Sequence, residues 1–228
     1  MKFILILLSL CLQTQLYCQS TDSLKLKKHH IGISFSPDYS FRILKSDANT
    51  TFIKNTLDTL EVAKLGYTTG LNYTYSFSKK ISIATGFLLS NKGEKTKKTF
   101  SSVPAKFNYN NQYYYIDIPI KANYYLIHKK VKLFVTAGLS TNVFLVQKTS
   151  QITGYTNDDV KNNFYNKTDI SAINFVMLAG FGIDCPLYKS WSFKLEPLYR
   201  RSVTPTTNTA VKKYLYSVGL NVGFYKAF

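Results

Sequence analysis

Residues 67–90, YTTGLNYTYSFSKKISIATGFLLS, decide the fold class. Ahead of Ser78, Lys79 and Lys80, one alternating series holds Tyr67, Thr69, Leu71, Tyr73, Tyr75 and Phe77, and the residues between are Thr68, Gly70, Asn72, Thr74 and Ser76. After that interruption the alternation resumes, with Ile81, Ile83, Phe87 and Leu89 set against Ser82, Ala84, Gly86 and Ser90. A period of two puts each set on its own face of a strand. The segment therefore predicts a hairpin with one large apolar face and one small polar face.

The same division recurs outward in both directions. Ile31, Ile33, Phe35, Tyr39 and Phe41 oppose Gly32, Ser34, Ser36 and Asp38, and Leu133, Val135, Leu139, Val143 and Leu145 oppose Lys132, Thr136, Gly138, Ser140 and Asn142. Further on, Ile173, Phe175, Met177, Phe181 and Ile183 oppose Asn174, Gly180, Gly182 and Asp184, and Tyr216, Val218, Leu220, Val222 and Phe224 oppose Ser217, Gly219, Asn221 and Gly223. A soluble barrel keeps its large apolar side chains inside and repeats charges outside. Here the partners of the apolar residues are Gly, Ser, Thr and Asn, which suits a narrow polar lumen and a lipid-facing exterior.

Connection lengths alternate as well: short at 78–80, 128–130 and 187–190, long at 43–64, 91–112, 147–169 and 201–213. Tight turns on one rim and long loops on the other predict an all-β fold, an eight-stranded antiparallel up-and-down transmembrane β-barrel with short periplasmic turns and long extracellular loops. Closing the sheet satisfies every backbone donor in lipid. Tyr73, Tyr75, Phe77, Tyr124, Trp191 and Phe224 fall near the turn ends, and Tyr39, Phe41, Tyr67, Tyr114 and Tyr199 near the loop ends, as two interfacial girdles would. Pro37, Pro119 and Pro197 each remove a ladder donor and predict local bulges or irregular pairing.

The ends of the chain agree with export. Met1 and Lys2 precede an apolar run at 3–12, with Leu16 and Cys18 at the minus-three and minus-one positions of a cleavage before Gln19. Residues 1–18 thus read as a secretory signal peptide, too short in its apolar run to span a bilayer, and 19–228 as one barrel domain. Asn221, Gly223 and the terminal aromatic Phe228 resemble the assembly signal that barrel-assembly machinery reads in outer-membrane proteins, with Lys226 a departure from it. Cys11 and Cys18 leave with the signal, so Cys185 stands alone and the mature chain has no internal disulfide.

The formal net charge is +17, of which Lys2 contributes one. Behind a signal peptide such an excess points to lipid phosphates and lipopolysaccharide rather than nucleic acid. Lys92, Lys95, Lys97, Lys98 and Lys106 in one predicted loop, with Arg201, Lys212 and Lys213 around another, form a basic loop patch that could meet lipid A phosphates or an acidic partner protein. The alternative is a solvated face in a Lys-rich chain.

Residues 114–126, YYIDIPIKANYYL, and 191–201, WSFKLEPLYRR, carry charges within strands. Ile116, Asp117, Ile118 and Pro119, followed by Lys121 and Tyr124, resemble the fourth strand of the PorT-like outer-membrane barrel family of Bacteroidetes-type bacteria. The resemblance implies the barrel fold, and one namesake member assists a secretion system for surface proteins. Strand parity independently places Asp117, Lys121, Lys194, Glu196 and Arg200 in the lumen. A barrel of eight strands has little interior beyond its side chains, so these charges are expected to pair and plug it, with an ion or proton path as the alternative.

No cofactor or metal is called for. His29, His30 and His128 fall at the turn rim with no third ligand at suitable spacing, and no catalytic constellation or phosphate-binding glycine loop accompanies them. The expected function is a non-catalytic structural or accessory envelope protein. A narrow channel is the second reading and an outer-membrane enzyme the third.

Overall fold

The computed structural model describes residues 27–97, 99–100, 106–128, 131–154 and 159–228. The predicted signal peptide and Lys98 lie outside them. Among the described residues ten strands form one antiparallel sheet: β1 His29–Lys45, β2 Glu61–Ser76, β3 Ile81–Thr96, β4 Thr99–Phe100, β5 Lys106–His128, β6 Lys132–Gly154, β7 Asp159–Asn166, β8 Ile173–Pro186, β9 Trp191–Ser202 and β10 Lys212–Ala227. The order is β4-β5-β3-β2-β1-β10-β9-β8-β6-β7, and an additional pairing of β5 with β6 joins its two sides. Eight strands therefore have a neighbour on each side. The short strands β4 and β7 only flank β5 and β6.

In the eight strands with two neighbours, alternation of residue type becomes alternation of burial over the half nearer the turns. In β1 the side chains of Ser34, Ser36, Asp38 and Ser40 are buried, while Ile33, Phe35 and Tyr39 between them are more than half exposed. Leu71, Phe87, Leu89, Leu139, Phe175, Phe181 and Val218 face outward in the same way. The outer surface is thus apolar and the interior polar, the reverse of a soluble domain. Water would make that arrangement costly, at roughly 25 cal/mol for each Å² of apolar surface left wet. A lipid surround removes the cost.

Three expectations need correction. The regions 91–112 and 147–169 are mostly strand rather than loop, since β3 runs to Thr96, β5 starts at Lys106, β6 continues to Gly154 and β7 folds back along it. Both β5 and β6 have 23 residues, about twice the 9–11 needed to cross a bilayer. The region 43–64 carries a 3-10 turn at Ala48–Thr50 and a helix, α1, at Thr51–Leu60.

Of the two outcomes expected at Pro37, Pro119 and Pro197, irregular pairing is found and a bulge is not. Pairing lapses beside each of the three and resumes in unchanged register, because losing one N–H donor requires no extra residue. The register shifts lie instead at Ala63/Tyr67, Tyr114/Tyr115 and Tyr125/Ile127.

Nor is the interior uniformly small. Tyr113, Tyr115, Tyr125, Phe134, Leu178, Leu198, Leu215 and Tyr225 are buried within it. Glycines make the space: a Cβ at Gly32 or Gly223 would overlap the Tyr225 ring, and one at Gly182 the Phe134 ring. At the loop end Tyr113, Tyr115, Ile170 and Leu215 cluster, with Phe144 packed against them.

Candidate functional site

The interior is a stack of ion pairs between distant strands. At its centre Lys121 Nζ on β5 donates to both carboxylate oxygens of Glu196 on β9, at 2.8 and 3.1 Å, and Asn221 Nδ2 on β10 donates to Glu196 Oε2 at 3.0 Å. Toward the loop end Lys92 Nζ donates to Asp117 Oδ2 at 2.8 Å, while Ser90 Oγ donates to Asp117 Oδ1 at 2.9 Å. Arg200 donates to Asp38 Oδ1 at 2.7 Å, and that carboxylate also accepts from the hydroxyls of Ser36 and Thr68. Toward the turn end Lys194 lies 3.9 Å from Asp184, and its ammonium sits 4.5 Å from the centre of the Tyr225 ring. Each charged residue in these four pairs is buried.

Two further layers close the loop end. Lys213 bonds Glu94 and donates to Tyr113 Oη at 3.0 Å, while Tyr113 Oη donates to Glu94 Oε1 at 3.1 Å. Arg42 bonds both Glu61 at the start of β2 and Asp58 on α1, so the helix is tied to the strands by charge. Lys54 reaches Asp58 from one turn earlier, at 3.2 Å. Burial raises the Asp58 pKa, but hydrogen bonds from Arg42 and Lys54 outweigh it and hold the carboxyl below its ordinary value.

Around the central pairs the space left is small. A cavity of about 20 Å³ lies among Asp117, Lys121, Asn142, Arg200 and Asn221, room for about one water. The packing is tight enough to require glycine, because a Cβ at Gly219 would overlap Asp38 Oδ1 and crowd Arg200. Chemically, this arrangement fixes charge and fills volume. Among the described residues no group of three or more His, Cys, Asp and Glu could hold a metal.

Asp117, Lys121, Lys194, Glu196 and Arg200 therefore lie together in the interior, yet only Lys121 and Glu196 pair with each other. Sequence reasoning missed the partners Asp38, Lys92 and Asp184. Parity had already set Asp38 and Asp184 on the polar faces of their strands, so that signal was present. Two members of the predicted basic loop patch, Lys92 and Lys213, are corrected by their interior ion pairs. Lys95, Lys97, Arg201 and Lys212 are exposed, and Lys106 lies at the start of β5.

Of the predicted assembly signal, Asn221 serves the Glu196 pair and Gly223 faces Ser34 and Lys194 in the ladders. Phe228 is exposed, and its N–H donates to the His29 carbonyl at 2.8 Å. His29 Nδ1 is 2.8 Å from Tyr73 Oη. Cys185 is half-buried.

The family model described as "Outer membrane protein beta-barrel domain" matches residues 19–208. No curated protein matches the sequence. Among solved structures, Neisserial surface protein A aligns at 12% identity over 88% of this chain and 97% of its own, with a TM-score of 0.49. OprG from Pseudomonas aeruginosa aligns at 12% identity over 88% and 96%, with a TM-score of 0.44. Ail, the attachment invasion locus protein of Yersinia pestis, aligns at 12% identity over 87% and 99%, with a TM-score of 0.35.

Proposed function

The chain belongs to the outer membrane protein β-barrel domain family, and from that premise we propose that it is a closed eight-stranded barrel with a plugged, non-conducting lumen. It serves as a non-catalytic structural or accessory protein of the envelope. One observation carries the reading: the three interior ion pairs Lys92–Asp117, Lys121–Glu196 and Arg200–Asp38 leave a cavity of only about 20 Å³ around the central charges. A conduction path would need a continuous wet column, and an enzyme would need reactive groups open to substrate. Here the charges are committed to one another.

In this reading residues 1–18 are removed before Gln19, barrel-assembly machinery reads Phe228, the turns face the periplasm, and β4, β7 and the outer halves of β5 and β6 stand outside the cell. The exposed cations Lys95, Lys97, Arg201 and Lys212 are then at the level of lipopolysaccharide phosphates. Arg201 supports this, because it shares the outward face with Met177 and Tyr216, its ladder partners near the loop end. The PorT-like resemblance around Asp117 and Pro119 adds protein secretion as a process such an accessory barrel would serve.

The test is envelope fractionation followed by crosslinking in intact cells. The protein is expected in the outer membrane, with a mature terminus near Gln19 and a reproducible crosslinked partner or lipopolysaccharide adduct. Recovery in the soluble periplasmic fraction would overturn the reading.

A further inference from the structure

A much larger cavity, of about 400 Å³, opens at the turn end. Its wall gathers four lysines from separate parts of the chain: Lys27 just ahead of β1, Lys79 in the β2–β3 turn, Lys132 at the start of β6 and Lys189 in the β8–β9 turn. Asp184 is the sole acid among the described residues of that wall, and it already faces Lys194 at 3.9 Å from below. The lining therefore carries a cationic excess that the interior pairs do not neutralise. His30 is also on the wall, with a buried Nδ1 that has no hydrogen-bond partner, while its Nε2 lies 3.1 Å from the Lys27 carbonyl oxygen. Lys27 bonds Ser190 across the opening, which ties the strand start to the β8–β9 turn.

We propose that this cavity binds a phosphate-bearing small molecule. Ammonium groups act as compact point charges toward phosphate, and four of them around one space favour a multiply charged oxyanion over a single carboxylate. The volume lies in the usual range of small-molecule pockets and exceeds what a bare ion would fill. Trp191 and Pro186 on the same wall give the organic part of a phosphate ester an apolar surface. That the cavity opens to the periplasm rests on the reading above, but the binding itself does not.

Trp191 lines the cavity and is the one tryptophan of the chain, so fluorescence excited selectively at tryptophan reports on the surroundings of this residue. Full-length protein folded in a phosphate-free non-ionic micelle is titrated with inorganic phosphate and with glycerol phosphate, with ionic strength held constant by chloride. A saturable change is expected, weakened at least tenfold in Lys79→Gln/Lys132→Gln and also weakened in Lys189→Gln, whose side chain sits in an exposed turn. Lys161→Gln on β7 should titrate as wild type. Heat-modifiable gel mobility verifies that each variant is folded.

Repeating the titration in phosphatidylglycerol vesicles separates the sources. Loss of the response there assigns the cavity to a lipid phosphate, and persistence assigns it to a free phosphate compound. Folded wild-type protein with no saturable response, an equal response from chloride, or an undiminished response in the folded lysine variants would each overturn the proposal. All three results are independent of where the protein fractionates.

Discussion

At the residue scale, the interior is held by side chains that each serve more than one partner. Glu196 accepts two bonds from Lys121 and one from Asn221, so Glu196→Gln leaves a buried ammonium without its counter-charge. Breaking a buried pair from one side costs about 3 to 5 kcal/mol, and urea titration of refolded protein in vesicles should register a loss of that order. Gly219→Ala puts a methyl against the Asp38–Arg200 pair and should cost about 1 to 3 kcal/mol, the usual toll of overpacking. Thermal unfolding with no downward shift in that variant would mean the pair is not packed as described. The polar-face residues Asp38, Asp184, Asp117 and Glu196 were legible from parity alone. Their partners were not, because Arg200 meets Asp38 across 162 positions of sequence and strand periodicity carries no information about which strands face each other across a lumen.

At the element scale, what the sequence concealed follows from solvent. The outer halves of β5 and β6, around Asn108, Asn110, Gln112, Lys148, Ser150 and Gln151, have polar residues at both parities. A strand with water on both faces has no apolar series to alternate with, so these stretches read as loops. Helix α1 had a weak signal in Ile53, Leu57 and Leu60 and in the Lys54–Asp58 spacing, but none of its residues is buried. Its anchor is electrostatic. Because the Asp58 pKa is depressed on folding, the anchoring contribution is present above the carboxyl's ordinary value and fades as pH falls through the lowered one. Protection factors of α1 amides, taken against the intrinsic exchange rate at each pH, should therefore hold near neutral pH and fall below about pH 4. Asp58→Asn should show the low protection already at neutral pH, and added salt should weaken the wild-type protection because Asp58 is partly exposed.

At the scale of the whole molecule, the two faces answer to two solvents. Leu139 is 59% exposed on the outer face and its neighbour Ser140 is buried within. Leu139→Arg should lower folding stability in vesicles by about 2 to 4 kcal/mol if it lies near the bilayer midplane, while Ser140→Thr should be mild. Equal tolerance at the two positions would reverse the assignment of faces. That assignment was the most legible feature of the sequence, because six strands, β1, β2, β3, β6, β8 and β10, repeat it. The filling of the lumen was less so, since Tyr113, Tyr115, Tyr125 and Tyr225 occupy interior positions that small neighbours made look empty.

Planar-bilayer recording of the purified protein tests the plugged lumen most directly. Wild type should insert without adding conductance steps, because the Lys121–Glu196, Lys92–Asp117 and Arg200–Asp38 pairs leave space for about one water between them. Regular conductance steps from wild type, altered in ion selectivity or abolished by Glu196→Gln, would contradict the plug and make the charged interior a path.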